Sequence, residues 1–114
     1  MKKKLFISQP MSGKREKEII EDRKHILEHL AKFGIYEKDL DIIDTYVTEE
    51  PPEGSNVRLW FLGKTIEKLA QADLVVFAQD YKKARGCRVE RLCAEVYHIP
   101  TVVLRGDEEL EIEE

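Results

Sequence analysis

The chain has 114 residues, 42% of them hydrophobic and 37% charged, with a formal net charge of −4. That length holds one core and no second domain, so we place a single α/β domain at 1–106 and an acidic C-terminal tail at 107–114. The acidic balance argues against a nucleic-acid polymer as partner, and no apolar run approaches membrane-spanning length.

Lys3 to Ser8 reads as a first strand, its consecutive Leu5, Phe6 and Ile7 suiting burial on both faces. The three N-terminal lysines precede an apolar stretch too short for a signal peptide. Pro10 and Gly13 make Gln9 to Gly13 a loop. A helix follows from about Lys14 to Phe33, stopped by Gly34, with Ile19, Ile20, Ile26, Leu27, Leu30 and Phe33 in one arc at 100° per residue. Asp41 to Tyr46 is a second strand and Thr48 to Asn56 a polar loop. Ser55 is the expected N-cap of a second helix ending near Gln71. Asp73 to Ala78, Gly86 to Tyr97 and Thr101 to Leu104 read as strand, helix and strand, and Asp107 to Glu114 as a frayed tail.

This alternation predicts a three-layer sandwich with a four-stranded parallel sheet, of flavodoxin-like or Rossmann-like order. In such a sheet the loops Gln9 to Gly13, Thr48 to Asn56 and Gln79 to Gly86 meet around one crevice. The third loop feeds a helix that carries Glu90 one turn in, near the positive end of the helix dipole. A carboxylate, a glycine permitting close approach and a positive field then share one corner. Lys82, Lys83, Arg85, Arg88 and Arg91 put five cations within ten residues there. They suit a grip on phosphate or, equally, a solvated helix face.

Phe6-Ile-Ser-Gln-Pro-Met-Ser-Gly13, Ala72-Asp-Leu-Val-Val-Phe77 and Gly86-Cys-Arg-Val-Glu90, in that order, resemble the nucleoside 2-deoxyribosyltransferase superfamily, in particular its small bacterial and phage branch. The resemblance spans nearly the whole chain. It implies cleavage of the N-glycosidic bond of a nucleoside or nucleotide, by hydrolysis or deoxyribosyl transfer. The nucleophile would be the Glu four residues after the helix-opening Gly, here Glu90. A carboxylate stabilises an oxocarbenium-like sugar or bonds to C1′, as in retaining glycosidases. The implied substrate-binding set is Phe6, Ser8, Gln9, Pro10, Met11, Gly13, Thr65, Ala84, Arg85, Gly86 and Arg88. Active relatives carry a Tyr where this chain has Phe6, an Asp at the position of Thr65, and a Ser or Asp at that of Ala84. Asp80 is the candidate to replace a missing carboxylate, as a second catalytic group. The alternative is a non-catalytic nucleotide-binding or sensing module on the same fold, and a third reading is a dimeric interaction protein without a small ligand.

No cofactor and no metal is expected. His25-Ile-Leu-Glu-His29 matches an HxxEH pattern formally, but the helical wheel sets both histidines opposite the apolar arc, where no buried site can close. Arg23 falls inside that arc and is expected to snorkel and pair with a carboxylate such as Asp44. On the second helix Leu59, Leu62, Ile66 and Leu69 form the core stripe. Val57, Trp60 and Phe61 form another, which predicts a homodimer or larger homo-oligomer with Trp60 in its interface. Cys87 and Cys93 form no CxxC pair and fit reduced thiols of a cytoplasmic protein.

Overall fold

The computed structural model describes residues 2–106 and 110–113. Strands β1 (Lys3–Ser8), β2 (Leu40–Ile42), β3 (Leu74–Phe77) and β4 (Thr101–Leu104) run parallel, and β5 (Leu110–Glu113) runs antiparallel beside β4, in the order β2-β1-β3-β4-β5. Helices α1 (Glu16–Ala31), α2 (Val57–Leu69) and α3 (Arg85–Val96) make the parallel crossovers. The sheet is therefore five-stranded and mixed, not four-stranded and parallel. The difference lies in the expected frayed tail. Leu110 and Ile112 alternate with Glu111 and Glu113, a period-2 strand pattern, and this segment pairs antiparallel with β4.

Strand residues alternate between two cores. Leu5, Ile7, Val76, Ala78, Val102 and Leu104 face α1 through Ile26 and Leu30. Phe6, Val75, Phe77 and Val103 face α2 and α3 through Leu69, Cys87 and Ala94. One helix covers the first face and two cover the second. Consequently Ile112, in register with Val102 and on its face, stays largely exposed.

Element ends shift by a few residues from expectation. Gly34, at φ +82, supplies the left-handed turn after α1. Asn56, not Ser55, caps α2, its Oδ1 accepting from the Leu59 amide at 3.1 Å. Ile20 and Phe33 of the α1 arc are exposed. So is Leu59, which leaves the α2 core stripe to Leu62, Ile66 and Leu69.

Candidate functional site

The end of β1 sets the site. Phe6 and Ser8 point to the α2/α3 face and Gln9 to the α1 face, because successive strand residues alternate. Ser8 is buried, and its hydroxyl donates to Glu90 Oε1 at 2.7 Å. Thr65, from the middle of α2, places its hydroxyl 3.0 Å from Glu90 Oε2 and 2.9 Å from the Leu62 carbonyl. A hydroxyl has one proton, so these two acceptors share it. Glu90 is only 7% exposed. Burial pushes its carboxyl above the ordinary range, and the hydrogen bonds from Ser8 and Thr65 oppose that rise.

Cys87 lies one turn before Glu90 on the same helix face, beside Ser8. Burial pushes its thiol up to about 11. The Ser8 hydroxyl works against this, while the charges of Glu90 and Asp80 add to it. The thiol is thus held protonated and is a poor nucleophile at neutral pH. This neighbour was missed in the sequence, although positions three apart on a helix meet and the spacing could have found it.

A separate cleft of about 700 Å³ opens on the α1 face of the same sheet edge. Ile26, Ala78 and Leu104 form its apolar floor, and its rim includes Gln9, Lys14, His29, Gln79, Asp80 and Lys83. It lies where a single helix leaves the sheet uncovered. Glu90, Ser8 and Thr65 do not line it. Only the first and third of the three expected loops reach this cleft. The loop 48–56 is drawn to α2 instead, with Glu49 paired to Lys64 at 3.0 Å.

The predicted site residues divide accordingly. Ser8, Thr65 and Glu90 come together. Gln9, Pro10 and Asp80 line the cleft, with Asp80 close enough electrostatically to act on both Lys14 and Cys87. Gln9 is buried and engaged, donating to the Ile19 carbonyl at 3.1 Å and accepting from Arg23 Nε at 3.0 Å. Arg23 also donates to Thr45 Oγ1 at 3.2 Å; Asp44 acts on it only through charge. Phe6 belongs to the second core, and Ala84 packs against that core. Met11, Gly13, Arg85 and Arg88 are exposed. A Cβ added at Gly86 would lie 3.7 Å from Leu62 Cδ1, an ordinary contact, so Gly86 is not required for close approach.

His29 is buried and packs on Phe33 with centroids 5.8 Å apart, whereas His25 is exposed. The wheel had put both outside. His29 is instead buried on α1, where it lines the cleft. Among the described residues no group of three or more His, Cys, Asp or Glu is disposed to hold a metal, and no helix is long and apolar enough to cross a membrane. Compared with family models, with curated proteins and with solved structures, the chain matches none.

Proposed function

We propose that the protein cleaves the N-glycosidic bond of a nucleoside or nucleotide with Glu90 as the reacting carboxylate, on a flavodoxin-like parallel core extended by β5. The observation that carries this reading is a buried carboxylate at the carboxyl edge of β1, gripped by two hydroxyls from different elements. Such a group can form a bond to C1′ as the C1′–N bond breaks and the base leaves with the electron pair. Water or a second base would then take the sugar and free the carboxylate. Ser8 and Thr65 orient the carboxylate and stabilise its ionised form against burial. Incubation with a panel of nucleosides and 5′-monophosphates, scored for free base, tests the reading. Base release that disappears in Glu90→Gln supports it.

A specific observation favours a second reading, a nucleotide-binding module without catalysis. Glu90 is almost fully covered, while the roomy cleft lies on the other face of the sheet and excludes it. Ligand binding with no base released from any member of the panel would establish that reading over the first.

A further inference from the structure

Helix α3 turns an apolar stripe outward that none of the described residues covers. Val89, Leu92 and Val96 are 38%, 59% and 55% exposed, and with Arg85 they follow a 4-3-4 spacing, the seam of a two-helix pairing. Arg88 and Glu95 are both exposed and stand seven residues apart, so they occupy the same flank of that seam. The opposite flank is taken by α2, where Leu62 lies against Gly86. Leu59, 63% exposed, extends the apolar surface one turn before Leu62. Trp60 is not the centre of this patch; it is half-buried, edge-on to Phe61, with the Lys64 ammonium over its ring.

We propose that this face is a homodimer interface in which α3 pairs antiparallel with α3 of a second copy about a two-fold axis. The occupant is argued from charge. A two-fold axis perpendicular to two antiparallel helices brings each flank against its own copy. A parallel pairing would instead set the Arg88 flank against the flank held by α2. In the antiparallel register Val89 packs on the second copy's Leu92, and Arg85 lays its stem over the second copy's Val96. The same register sets Arg88 opposite the second copy's Glu95, twice by symmetry. The two arginines at the positive end of α3 also then face the negative end of its copy, which relieves both. Placed so, Arg88 serves assembly and is withdrawn from any grip on a substrate phosphate. This inference does not depend on the proposed chemistry.

Sedimentation of the whole chain, with circular dichroism to verify folding, tests it. The wild-type protein should be a dimer at about 100 μM. Leu92→Glu, folded, should weaken association by at least about 100-fold, since it buries two unpaired carboxylates in the seam. Arg88→Glu and Glu95→Arg should each weaken it roughly 10-fold, and the double exchange should recover most of that loss. A wild-type monomer at that concentration overturns the proposal, as does a dimer unaffected by Leu92→Glu. Single reversals that weaken the dimer without recovery in the double exchange overturn the antiparallel arrangement.

Discussion

The two faces of the sheet end differently at the same edge. On the α2/α3 face two helices press together and leave a closed polar niche, in which Glu90 is sealed by Ser8, Thr65 and Cys87. On the α1 face a single helix covers five strands and leaves a cleft of about 700 Å³ with a charged rim. Coverage, more than residue type, separates them. The niche has chemistry with little access; the cleft has access, with several of its polar groups already engaged, Lys14 with Asp22 at 2.6 Å and Gln9 with Arg23 behind it.

The sharpest way to break this contrast is Glu90→Gln. If the niche holds the chemistry, base release should fall by at least about 10³-fold while nucleotide binding changes little. A mutant as active as wild type would move the reaction to the other face. Core truncation probes the same contrast through stability. Leu30→Ala, on the buried side of α1, and Leu69→Ala, on the buried side of α2, should each cost about 2–5 kcal/mol. The first should fall nearer the lower bound, because residues beside an open cleft can relax into the space left. Urea unfolding measures both, and a larger cost at Leu30 would mean that the cleft does not loosen its face.

Gln79→Trp fills the mouth of the cleft from an exposed position. With the ligand in the Glu90 niche, its affinity should change by less than about 2-fold; a loss beyond about 10-fold would put the ligand in the cleft. The smallest effect is on pH dependence. Burial raises the Glu90 carboxyl above its unfolded value, so between the two values the folded state keeps a proton that the unfolded state has released. Wild-type stability should therefore fall as pH rises through that window. Glu90→Gln lacks the fall, and its Tm relative to wild type should increase from about pH 4 to pH 8. In the active protein the acid limb of base release should lie above the ordinary carboxylate range. Ser8→Ala should move it higher still, because it removes a hydrogen bond that favours the ionised form.

Much of the fold was legible because its signals are local. The apolar runs of β1, β3 and β4, the amphipathic period of α1 and the stop at Gly34 require no knowledge of neighbours. The antiparallel β5 was missed because its alternation of Leu110 and Ile112 with acids reads as a solvated tail until β4 stands beside it. Glu90 could be placed near the carboxyl edge from strand order alone. Its closure could not, since the contacts to Ser8 and Thr65 span 82 and 25 residues. His29 and Leu59 show the same limit in opposite directions. One lies opposite the apolar arc of its helix yet is buried at the cleft, and the other lies in the expected core stripe yet is exposed, because a helical wheel does not show which neighbours cover a face.

The central place of β1 has a consequence for how the chain is made. It is the first of these elements to be synthesised, yet both its neighbours come later: β2 starts 37 residues on and β3 71 residues on. The junction with β3 is fixed at its start by a reciprocal pair. The Lys4 amide donates to Asp73 Oδ2 at 2.8 Å and the Asp73 amide donates to the Lys4 carbonyl at 2.9 Å. Until Asp73 arrives, β1, with its consecutive Leu5, Phe6 and Ile7, has only a three-residue partner in β2. Closing so long a loop delays the sheet's nucleus. The growing chain thus carries β1 with one edge unpaired until β3 is made, and α1, folded locally over Leu5 and Ile7, is the element placed to shield it.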